Sequence, residues 1–258
     1  MKKILAILAI GAMLATTASA DLGRVEMGVG IWQQTPNGAS HIEDSSGLLD
    51  LKGDYSSDEK DSSEAYLWML IKHPLPILPN IRLEYVSIAD EGNTEGEVGD
   101  AISVTGDGFT TINMTQYDII PYYNILDNTG WITVDLGLDI KIIDTTGDVV
   151  VVDGGAYPST TESFSDNTVV PLLYLRTRVE IPATNIGLEA DVKYITDGDS
   201  TVYDIRAKVD YTLDFIPVIQ PALELGYRIQ KFDLEDSDTN NKTDLEFSGV
   251  YAGLMVRF

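Results

Sequence analysis

The chain has 258 residues, with 41 Asp and Glu against 17 Lys and Arg, a formal net charge of −24 and no cysteine. The lack of thiols excludes disulfide scaffolds and thiolate metal centres, and the acidic balance argues against nucleic acid as a partner. A chain of this length is ordinary for one all-β barrel domain.

The first twenty residues, MKKILAILAIGAMLATTASA, carry Lys2 and Lys3, an apolar run from Ile4 to about Ala15, and a small-residue close at Ala18-Ser19-Ala20. This predicts a cleaved secretory signal over residues 1–20 and one mature domain over residues 21–258. The apolar run is short for a helical span of roughly 20 residues, which disfavours a membrane anchor.

Beyond it, about ten segments alternate with period two, the signature of half-buried strands. They lie near residues 22–34, 64–73, 81–89, 112–124, 131–144, 168–181, 186–196, 202–214, 220–233 and 245–258. One phase is apolar throughout, as in Val29 and Ile31, Leu136, Leu138 and Ile140, or Leu223, Leu225 and Tyr227. The other phase is ionic. It carries Arg24 and Glu26, Lys72, Arg82 and Glu84, Asp118, Asp135, Asp139 and Lys141, then Arg176, Arg178 and Glu180, Glu189, Asp191 and Lys193, Asp204, Arg206, Lys208 and Asp210, Glu224 and Arg228, and Arg257. Acids and bases are nearly equal on this phase, so the negative excess falls outside it. Between segments, short linkers (PLPILPN, DNTG, PATN, FIPVIQ) alternate strictly with mostly longer acidic stretches near residues 35–63, 90–111, 145–167, 197–201 and 234–244.

Short turns at one end and long loops at the other predict an all-β, antiparallel up-and-down transmembrane barrel of about ten strands, with the ionic phase facing a closed lumen and the apolar phase facing lipid. Tyr85, Tyr194, Tyr203 and Tyr227 then fall toward the outer ends of their strands, and Tyr123, Tyr211 and Phe258 toward the inner ends, as two interfacial girdles.

The segments PYYNILDNTGWITVDLGLDIKIID (residues 121–144), VYDIRAKVDY (202–211), ALELGYRIQKFDLED (222–236) and the closing YAGLMVRF resemble the small, uncharacterised outer-membrane β-barrel proteins of Gram-negative proteobacteria. The resemblance implies an outer-membrane location and makes the strand ending in Phe258 the signal read by the barrel-insertion machinery. It implies no substrate.

The chemistry is sparse. His41 beside Glu43 and Asp44 could form a base with an orienting acid, but no nucleophile motif accompanies it, so no enzyme is expected. In DSDTNNKTDLEF, Asp236, Asp238 and Asn240 offer oxygens at calcium-loop spacing. Asn241 and Phe247 replace the glycine and glutamate such a loop needs, leaving at most weak divalent-cation binding and no cofactor. Glycines 28, 30, 137, 226, 249 and 253 mark bends or close approaches in a barrel wall. A balanced ionic lumen predicts a barrel filled by its own side chains, a monomeric scaffold for surface loops in contact with lipid and lipopolysaccharide. A narrow cation-preferring pore is the alternative.

Overall fold

Alternation forces every strand to present two unlike faces, and the structure resolves the conflict by closing the sheet on itself. The computed structural model describes residues 23–43, 49–54, 62–75, 77–98, 102–129, 131–151, 160–213, 219–235 and 242–258. The signal segment and the candidate calcium ligands Asp236, Asp238 and Asn240 lie outside the described residues. The strands are β1 (Arg24–Glu43), β2 (Leu49–Asp54), β3 (Ser62–Lys72), β4 (Asn80–Val98), β5 (Ile102–Thr129), β6 (Ile132–Val151), β7 (Thr160–Glu180), β8 (Ile186–Thr196), β9 (Thr201–Thr212), β10 (Gln220–Glu235) and β11 (Lys242–Arg257).

All pairings among these strands are antiparallel, and β11 closes on β1 from Glu26↔Arg257 to His41↔Lys242. Reciprocal backbone bonds between Val25 and Phe258 extend that seam to the last residue. Ten strands form the barrel. The eleventh, β2, is six residues long and sits above β3, pairing with the upper parts of β1 and β4.

The outward face records where the membrane ends. Leu136, Leu138, Ile140, Leu173, Leu225 and Leu254 stand outward and exposed. Going up each strand, that apolar phase gives way to polar residues at one level: Gln33 opposite Ser63, Ser87 opposite Thr115, Asp144 opposite Asn167, and Thr196 opposite Thr201. The upper girdle lies just below, with Tyr194 paired to Tyr203 and the Tyr85 and Tyr117 rings 5.5 Å apart. At the other end, Tyr123 is exposed and donates its hydroxyl hydrogen to the Ile77 carbonyl at 2.9 Å. Val25 and Met27 share the outward phase yet are covered to 7% exposure, outside the interior cluster.

The structure corrects the expected loops. Most of the stretches near residues 35–63, 90–111 and 145–167 are strand, and the DNTG turn is largely the end of β5, which runs to Thr129 through irregular pairing with β6. β5 has 28 residues and β7 has 21, whereas β8 has 11, close to the number needed to cross a bilayer. The surplus stands above the polar border as a β-sheet wall. In water neither face of such a wall must be uniformly apolar, so these stretches lack the contrast that marks the membrane strands.

Candidate functional site in the barrel lumen

Period-two geometry sends the ionic phase inward, and the register then decides who meets whom. It sets Asp118 opposite Lys141, Asp135 opposite Arg176, Arg178 opposite Glu189, Asp191 opposite Arg206, Glu189 opposite Lys208 and Lys193 opposite Asp204. Direct cross-strand opposition of unlike charges is the favourable arrangement. The register also makes like pairs, Glu84 with Asp118 and Arg206 with Arg228, and each is bridged by a third group. The Lys193 ammonium lies against both Glu84 (2.7 Å) and Asp118, and Glu84 lies between Arg206 (3.1 Å) and Arg228 (3.8 Å).

The remaining contacts join these pairs into one network. Arg176 reaches Asp135 and Glu189, both at 2.6 Å, and Arg178 reaches Asp210 at 2.7 Å. Arg82 reaches Glu84 at 2.5 Å, Lys208 reaches Glu224 at 3.1 Å, and Arg257 reaches Asp210 at 2.7 Å. Arg228 holds Asp204 at 2.6 Å and Arg206 holds Asp191 at 2.9 Å. Arg24 and Glu180 differ from the rest. Each side chain is 41% exposed at the rim opposite the wall, where Arg24 pairs with the buried Glu26 at 2.5 Å.

Among the described residues the buried ionic side chains are ten carboxylates and nine cations. Nine of the carboxylates have a cationic partner in direct contact. The tenth, Asp139, is fully buried, has no hydrogen bond to either oxygen, and comes no nearer to a cation than 4.0 Å, at Lys193. Glu84, Asp118 and Asp204 bring carboxylate oxygens within 4.8 Å of one another, a spacing that could hold a metal ion. Lys193 already serves as the cation of that cage, since its ammonium lies within ion-pair distance of all three.

The ionic phase alone does not reveal the aromatic half of the lumen. Trp68 and Tyr66 both donate to Glu224, at 3.1 and 2.6 Å, and the Trp68 ring carries Lys208 at 4.3 Å and Arg82 at 5.0 Å. Space for these rings comes from glycine on adjacent strands. A methyl group at Gly28 would run into the Trp68 indole, and one at Gly226 would lie 2.5 Å from the Tyr251 ring.

Above the charges the inward phase turns apolar. Trp32, Ile88, Ile112, Met114, Ile143, Val202, Phe232, Leu245 and Phe247 are all buried, in a cluster that continues down to Tyr66 and Trp68, and at this level they roof the ionic layer on the side of the wall. The ionic phase gave no sign of this roof; its signal in the sequence is inward-phase apolar residues that continue past the polar border. His73 lies in the turn between β3 and β4, with its ring nitrogen 3.0 Å from the Pro79 carbonyl. His41 lies on upper β1, and its side chain is outside the described residues.

No family model matches the chain, and no curated protein is similar to it. Among solved structures it is similar to the outer membrane protease OmpT from Escherichia coli, at 11% identity and a TM-score of 0.48, over 95% of this chain and 99% of that one. It is also similar to a Pseudomonas aeruginosa FadL homologue, at 10% identity and a TM-score of 0.39, over 92% of this chain and 90% of that one. The outer membrane protein AlkL gives 12% identity and a TM-score of 0.35, over 94% of this chain and 93% of that one. The fold is that of an outer-membrane β-barrel. That statement rests on the closed ten-strand sheet, the uncharged apolar belt and the polar border, and such barrels reside in the outer membrane.

Proposed function

We propose that the protein is a sealed, non-enzymatic outer-membrane barrel whose working part is the β-sheet wall it raises above the membrane. The observation that carries this reading is the two-storey filling of the lumen, a paired ionic layer under an apolar roof. Water and ions crossing the barrel would have to wet the roof and break buried ion pairs. Leaving a buried charge unpaired costs about 3–5 kcal/mol, so the closed state is strongly favoured. The chain acts as a monomer in contact with lipid and lipopolysaccharide, needs no cofactor, and binds divalent cations only weakly through its acidic upper segments. Phe258, at the closing seam, is the residue the insertion machinery reads.

A narrow cation-preferring pore is the second reading, favoured by one observation: the unpaired Asp139 gives the buried lumen an acid in excess. Single-channel recording of the refolded protein in planar bilayers, with and without calcium, tests both. A silent bilayer is expected. Stable cation-selective conductance would replace the sealed barrel by the pore.

A further inference from the structure

Among the described residues the wall is not continuous around the barrel. β7 pairs with β8 only from Leu173↔Tyr194 downward, while its upper part remains paired to β6 up to Val151↔Thr160. The β8–β9 hairpin ends at Thr196↔Thr201, level with the polar border, and its turn leans toward β10, where the Glu235 amide donates to the Ser200 hydroxyl at 3.0 Å. Residues 160–170 of β7 therefore have a neighbour on one side only among the described residues. On the free side, alternate amides and carbonyls of roughly 35 Å of extended backbone, at 3.3 Å per residue, have no strand partner among the described residues.

Such an edge is a template for an added strand. Its surroundings select the strand's chemistry. Asp144 and Asp148 are exposed on the outer face of the wall, Asp166 is exposed on the inner face of β7, and Asp197 and Asp199 are exposed on the turn below. No Lys or Arg occurs in residues 160–170 or 197–200. Like charges opposed across a strand pair are destabilising, so a second copy of this edge, which brings its own Asp166, fits poorly. Pro171, which lacks an amide hydrogen, ends the template at its membrane side.

We propose that residues 160–170 form a docking edge for an extended, cationic polypeptide segment of a partner, which adds as a strand beside β7 in the gap above the β8–β9 hairpin. The proposal rests on the wall being the working surface, but peptide binding and conductance are separate measurements, so either can fail alone.

The test uses the full mature chain refolded in nanodiscs of zwitterionic lipid and two labelled decapeptides of equal charge. One alternates Lys and Thr. The other has the same sequence with every backbone nitrogen methylated, so it has no amide hydrogen to give to a ladder. Fluorescence anisotropy should show the Lys-Thr peptide binding at least tenfold more tightly, and it should slow amide exchange in residues 160–170 by tenfold or more. The double variant Asp148→Lys, Asp166→Lys should bind it at least tenfold more weakly. Should that variant not fold, the two peptides on the unsubstituted protein still decide. Equal binding of both peptides would reduce the site to unspecific charge attraction and overturn the proposal. So would protection elsewhere, no binding, or a peptide-free dimer protected over the same residues.

Discussion

Lys193 and Asp139 show how unequal two neighbouring charges in the same lumen can be. Lys193 is fully buried and its ammonium sits against Glu84, Asp118 and Asp204, with Asp139 at 4.0 Å. Lys193→Met keeps most of the volume but removes the one cation that all three carboxylates share, leaving Glu84 to its arginines, Asp118 to Lys141 and Asp204 to Arg228 and Lys141. Its expected cost is about 3–5 kcal/mol, the scale for removing one partner of a buried pair. Asp139→Asn removes a charge with no hydrogen-bond partner and supplies an amide donor to the same crowded site. Urea titrations of protein folded into lipid vesicles should show this variant as stable as the parent or more so. Comparable losses in both variants would mean that Asp139 is an equal member of the network. The alternation made all of these residues legible as inward-facing. It did not distinguish the saturated carboxylates from the unsaturated one, because that depends on register across the strand pairs rather than on order within a strand.

At the scale of the element, β6 crosses the border between lipid and water on a single face. Leu136 stands outward below it, between Tyr123 and Leu175, and Thr146 stands outward above it, opposite Asn113. Leu138→Arg, one outward position further from the Tyr123 girdle and opposite Leu173, should therefore cost about 2–4 kcal/mol in a vesicle-folding titration, whereas Thr146→Lys should change stability by no more than about 0.5 kcal/mol. Equal tolerance at the two positions would place the border wrongly. The turns carry their own strain. Ala183, between β7 and β8, has φ 60°, a left-handed conformation that a side chain makes costly. Ala183→Gly should raise stability by roughly 0.5–1 kcal/mol in the same assay, since only the folded-state penalty is large. The membrane halves of the strands were legible because lipid imposes an uncharged face at every second residue. The upper halves were not, since TTESFSDN of β7 stands in water and needs no such face. A β-propensity signal was present in Asp148-Val149-Val150-Val151, but polar neighbours made it resemble a loop.

For the whole molecule, the two storeys imply that barrel and wall have different grounds for stability. Within hydrocarbon every backbone group must be paired, so the ten strands below the border form as one closed unit. Above it, a lost backbone pair is replaced by water, and each such exchange changes stability by only about 1 kcal/mol. The β6–β7 hairpin can therefore be shortened without opening the barrel. A chain in which Gly147 and Phe164, paired partners in the parent, are joined by a two-residue turn retains Ile143 in the roof and all β6 and β7 residues below the border. This variant should insert and show the same heat-dependent gel mobility as the parent, and protease added to intact cells should leave the PATN turn at residues 182–185 uncut in both. Failure to insert would mean that the wall nucleates the barrel. Cleavage in that turn would reverse the orientation and place the wall in the periplasm.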